Sequence, residues 1–173
     1  MRTRQIAAAV FGAALLATAA HAQTAPNPLD VVPDKMPFDV PYGAPISLDR
    51  AHAAVAAAAA EAKKHDWKMN IAVVDSGGNL VAFSRMDGAI LASIAISEHK
   101  AKAAAMFRRE TKVFENGMQS GLVYQLSLDG VIGSRGGIPL IEDGKLIGAI
   151  GVSGGTGSQD EVSSKAGAAT INK

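Results

Sequence analysis

Two apolar runs, each followed by a glycine-bearing turn and a second run, constrain this chain more than any other feature. Residues 69–75 (MNIAVVD) are β-rich, Ser76-Gly77-Gly78-Asn79 is turn material, and Leu80–Arg85 (LVAFSR) returns. The pattern recurs near the C-terminus: residues 137–141, a turn at Glu142-Asp143-Gly144, then residues 145–152 (KLIGAIGV). Around these hairpins the period changes to that of helices. Ser47 is a good N-cap, and Leu48, His52, Val55, Ala59 and Ala62 fall near one face of a helix over 48–65. Further helices are expected over 90–108, over 111–119 with Thr111 as cap, and over 159–171. Helix, hairpin, helices, hairpin, helix predicts an α/β (α+β) domain with a mainly antiparallel sheet flanked by helices. A doubly wound, flavodoxin-like sheet is the alternative.

Composition narrows the function. At 173 residues and 48% hydrophobic, the chain suits one domain with a sizeable core. Lys and Arg number 17 against 16 Asp and Glu, so no strong field draws nucleic acid or anionic lipid. The absence of cysteine excludes disulfides, thiolate zinc sites, iron–sulfur clusters, a cysteine nucleophile and covalently attached heme. Met1-Arg2-Thr3-Arg4, the uncharged run 6–20 and Ala20-His21-Ala22 read as an export signal over 1–22, which addresses the chain to a bacterial periplasm. That run is too short for a comfortable membrane span, and no later run reaches 18 apolar residues, so no span is expected after processing. Residues 23–46 carry six prolines and read as an arm that acts as spacer, strap or docking segment; the domain proper is expected at 47–173.

Few side chains suggest chemistry. His65, at a helix end, suits the C-terminal dipole, and His99 lies on the more polar side of its helix. His52 is expected on an apolar stripe, either as a hydrogen-bonded core residue or as an imidazole placed where an axial heme ligand belongs. Exposed backbone N–H groups along Gly154, Gly155, Thr156, Gly157 and Ser158 could hold a carboxylate or phosphate; the other reading is a tight turn capped by Ser158. No P-loop, nucleophile elbow or zinc helix is present. Arg108 and Arg109 could pair with ligand carboxylates or form a surface cluster. Asp75, Asp87, Arg85 and Lys100 complete the set of possible acid, base or clamp residues.

Several ordered blocks resemble one family. Residues 70–83 (NIAVVDSGGNLVAF), 85–89 (RMDGA), 100–104 (KAKAA), 107–114 (FRRETKVF), 136–140 (GGIPL), 148–155 (GAIGVSGG) and 159–161 (QDE) are similar to motifs of the GlcG/HbpS family, related to the PduO C-terminal domain. The resemblance implies a profilin-like three-layer sandwich with about five strands. It also implies homo-oligomers, dimeric or larger, with His99 and Lys102 expected near the contact. Some members bind heme non-covalently, PduO-type domains through a first-helix histidine; His52 corresponds as the metal ligand. Thr111 falls in the junction that heme-binding members place near the iron, and Arg108, Arg109, Gly154, Gly155 and Ser158 are the expected propionate partners. No Glu-x-x-Glu motif is present, which separates the chain from iron-handling members. The expected function is periplasmic heme binding for sensing, carriage or protection. The alternatives are an enzyme acting on a small carboxylated or aromatic metabolite, and an accessory module for a sensor or periplasmic enzyme.

Overall fold

The structure, a computed structural model, describes residues 30–36 and 38–172. The expected signal and the first part of the arm lie outside them. The chain divides into residues 1–35, of which the described Asp30–Lys35 are exposed, and residues 36–173. In the second unit the order is α1 (Leu48–Lys64), β1 (Asn70–Asp75), β2 (Leu80–Arg85), α2 (Ser93–Met106), α3 (Lys112–Gln119), a 3-10 turn (Val123–Ser127), β3 (Gly137–Glu142), β4 (Lys145–Ser153) and α4 (Gly157–Ala168).

Both hairpins form, and β1 pairs with β4, giving one antiparallel sheet in the order β2-β1-β4-β3. Among the described residues there are four strands rather than about five. The stretch where a further strand could run, residues 41–46, makes one parallel bridge, Tyr42 to Leu146. Pro41 and Pro45 each remove an N–H donor from that ladder. Its backbone still lies along the start of β4, past the point where β1 ends at Asp75: Leu146 N–H donates to Pro41 O (2.8 Å) and Gly43 N–H to Leu146 O (2.7 Å). The end of the proline-rich arm is therefore strapped to the domain.

Three layers result. On one face Ala51, Ala54, Ala58 and Ala62 of α1 and Ala168 of α4 pack with Ile71, Val73, Ile150 and Val152. On the other, Ala101, Ala104 and Ala105 of α2 pack with Ala72, Val74, Leu146 and Ala149. Small residues set the spacing on both sides. A Cβ at Gly151 would run into the Ser97 carbonyl and the Ala101 backbone, and one at Gly167 would meet Ile150 and the Ala54 carbonyl. Helix α2 thus rests almost directly on β4. It crosses β4, β1 and β3, and on that side β2 meets the α2 cluster through the half-buried Phe83. That thinner cover beside β2 positions the site.

Candidate functional site

Helix α2 has two faces. Ser93, Ser97, Lys100, Ala101 and Ala104 are buried, whereas Ala95, Glu98, His99, Lys102 and Met106 recur at helical spacing along the flank beside β2. Ala95, Glu98, His99 and Lys102 form one wall of a groove of about 440 Å³; Val74 and Leu80 line the sheet side, and Gly78 and Gly130 complete it. Gly78 adopts φ +80°, and a side chain there would press on Lys102 and Met106, so glycine lets the hairpin tip close on the helix. A second hollow of about 380 Å³ shares Lys102 and Gly130 and adds Met106, Phe107 and Asp129. Each hollow falls in the volume range of small-ligand sites, and the lining mixes aliphatic and aromatic surface with Glu98, His99, Lys102 and Asp129.

His99 Nε2 lies 3.1 Å from Gly130 O. A carbonyl only accepts, so Nε2 carries the proton in that bond, and a neutral ring keeps its lone pair on Nδ1. Lys102 and Glu98 have no ion-pair partner within 4.0 Å among the described residues. The groove therefore offers an imidazole with a fixed tautomer, one free ammonium, one carboxylate and aliphatic surface. It can seat a flat apolar body with an anionic substituent.

The residues expected to form a site are distributed differently. His52 is exposed, because the buried stripe of α1 runs through Ala51, Ala54, Val55, Ala58 and Ala62 rather than through Leu48, itself 52% exposed. Alanines packed against α4 define that face, and their small size gave the apolar pattern the wrong phase. Arg108 and Arg109 lie in the α2 layer, across the sheet from α1, and both hold the strap. Arg108 Nη1 donates to Val40 O (3.0 Å), with its guanidinium 5.5 Å from the Tyr42 ring centre. Arg109 stacks on Phe38 at 2.9 Å and lies 5.3 Å from Phe114; burial pushes its pKa down. Neither arginine shares a layer with His52.

Thr111 is fully buried and makes no side-chain cap. Its Oγ1 accepts from Gly137 N–H (2.9 Å) while its own N–H donates to Gly137 O (3.0 Å), so it ties the start of α3 to β3. Ser47 likewise makes no side-chain cap. At α4 the cap is Thr156, in a capping box with Gln159, and Ser158 is exposed inside the helix. The glycine loop does bind an anion, but its own: Gly155 N–H donates to Asp160 Oδ1 (3.0 Å), and Gly154 N–H also bonds that carboxylate. Asp160 Oδ2 in turn takes Lys100 Nζ at 2.7 Å, with Val152 O at 3.2 Å from the same ammonium. Burial pushes the Asp160 carboxyl up, against the pull of Lys100 and the loop N–H groups. Asp75 accepts from Gly77 N–H, Asn79 N–H and Asn79 Nδ2, which fixes the first turn. His65 stacks on Trp67 and meets Glu61.

His99 and Lys102, expected near a subunit contact, both line the groove. The sequence did not point to Val74, Leu80, Glu98, Gly130, Met106 and Phe107. The available signal was the spacing of Ala95, Glu98, His99, Lys102 and Met106.

The helices on both faces of the sheet define an α/β/α sandwich domain with an open groove beside α2. The family model described as "Haem degrading protein HbpS-like" matches residues 46–169, so the chain belongs to that family. Protein GlcG of Escherichia coli (strain K12) is 43% identical over 108 residues, 62% of this chain and 81% of the relative. The Klebsiella pneumoniae protein ORFY superposes with a TM-score of 0.70 at 30% identity, over 82% of this chain and 97% of that one. A structure of a PduOC:Heme complex superposes with a TM-score of 0.67 at 28% identity, over 74% and 96% of the two chains.

Proposed function

We propose that this protein binds heme non-covalently in the groove between α2 and β2, and that it does so in the periplasm for sensing, carriage or protection. The observation that carries the reading is His99: its Nε2 is committed to the Gly130 carbonyl, beside aliphatic surface and the unpaired Lys102. The residues fit the group. Leu80, Met106 and Phe107 supply apolar contact for a porphyrin, His99 a nitrogen for the iron, and Lys102 a cation for a propionate. A bound heme would supply a ligand-binding or one-electron iron centre; the chain's part is to orient it and exclude water.

Family membership and a relative crystallised as a heme complex support this reading. The resemblance nominates His52 instead, which on its exposed face requires a second copy to cover it. Exposed Leu80, Leu91, Val123 and Leu126 support an oligomer. Met1–Ala22 supports export.

Titration of the mature protein with hemin, followed at the Soret band, tests the proposal. His99→Ala abolishes the bound spectrum if the groove is the site; loss with His52→Ala alone moves the ligand to α1, and an unchanged Soret band in wild-type protein ends the proposal. Because Lys102 and His99 could equally clamp a carboxylate, a thermal-shift screen of small carboxylated and aromatic metabolites alongside hemin separates carrier from enzyme.

A further inference from the structure

On the α1 side of β2 lies a separate cleft of about 360 Å³, walled by Ala59 and Lys63 of α1, Lys68 of the following loop, and Ser84, Arg85, Met86 and Asp87. Its cations come from three segments. Lys68 is engaged by Asp66, but Lys63 and Arg85 have no ion-pair or hydrogen-bond partner among the described residues, and neither does the Ser84 hydroxyl. Unpaired cations on facing walls repel each other and gain from an anion placed between them.

Two further observations favour a ligand here. The walls are fixed: Met86 N–H donates to Met69 O (3.0 Å), extending the β1–β2 ladder, and Trp67 N–H donates to Ala62 O (3.0 Å), closing α1. The helix end, which by itself disfavours an anion, is covered. His65 and Asp66 N–H groups donate to the Ala62 and Lys63 carbonyls, with Asp66 in the left-handed region at φ 58°. The floor is apolar, from Ala59 and from Met86, which packs on the core.

We propose that this cleft is a second binding site, for a small organic anion whose carboxylate or phosphate group sits between Lys63 and Arg85. Ser84 donates to the same group, Asp87 accepts from a ligand hydroxyl, and the ligand's apolar part rests on Ala59 and Met86.

The test is a titration of ¹⁵N-labelled protein with inorganic phosphate and, separately, with benzoate, at constant ionic strength against a chloride control. Saturable shifts are expected at Lys63, Ser84, Arg85 and Met86, with His99 and Gly130 unmoved. Saturation by benzoate assigns a carboxylate ligand, and saturation by phosphate alone a phosphorylated one. Arg85→Gln and Lys63→Gln, which keep the fold because both side chains are unpaired, each weaken binding by about tenfold, the loss expected for one charge-assisted hydrogen bond. No saturable shift with either probe, the same shifts with chloride, or unchanged binding in both variants overturns the proposal. Hemin binding in the groove is read separately, at the Soret band.

Discussion

Lys100 and Lys102 stand two residues apart on one helix and have opposite fates. Lys100 is 1% exposed and bonded to Asp160 and the Val152 carbonyl; Lys102 is exposed, unpaired and lines the groove. The sealed lysine pins α2 to the start of α4 across the end of β4, and the open one faces ligand space. One face of α2 therefore holds the architecture together while the other is free to bind.

The largest effect expected from this contrast is at the sealed pair. Lys100→Met leaves the Asp160 carboxylate buried without its ammonium and costs about 3–5 kcal/mol in urea unfolding. Lys102→Met should stay within about 0.5 kcal/mol while weakening hemin binding. Equal losses in the two variants would break the comparison.

The close seat of α2 comes next. Gly151→Val puts side-chain atoms against Ser97 and Ala101 and should cost about 1–3 kcal/mol through overpacking. The cap that delivers Asp160 to Lys100 is a smaller lever: Thr156→Ala should cost about 1 kcal/mol, whereas Ser158→Ala, at the position sequence favoured, should cost almost nothing. Thermal or urea unfolding reads both.

The smallest effect is a pH dependence that separates two neighbours on α4. Burial pushes Glu161 up, but Lys165 and Lys112 outweigh it, so its carboxyl sits below the ordinary 4.5; in Asp160 burial wins and the carboxyl sits above 3.8. Burial likewise opposes Glu115, yet the Arg135 guanidinium and N–H hold it below 4.5. Groups with lowered values contribute stability above about 4.5 that is lost as pH falls through the folded value; Asp160, with its raised value, works in the opposite direction. Glu115→Gln should flatten the loss of stability in unfolding curves below about pH 4.5, and a wild-type slope in that variant would assign the acid sensitivity elsewhere.

The elements were legible in the sequence to within a few residues, because turn chemistry and apolar periodicity are local. Leu80–Arg85 forms over its expected range, and β4 runs one residue past its expected end. The face of α1 was not legible. Its stripe is built from alanines whose burial depends on how closely α4 approaches, so the pattern through Leu48 misplaced His52. The glycine loop was expected to hold a ligand's anionic group or to be a turn capped by Ser158; instead Asp160 of the same chain takes the Gly155 N–H and Thr156 is the cap, and no local signal revealed either.

By itself the sequence determined the hairpins, the helices, the sheet they imply and the family, since those rest on neighbours within a few residues or on ordered motifs. Tertiary structure alone decided that Lys100 is sealed and His99 open, that Arg108 and Arg109 hold the strap, and that β2 is thinly covered on the α2 side. Each of these depends on which surfaces meet across the sheet, and contacts between residues distant in the chain leave little trace in local spacing.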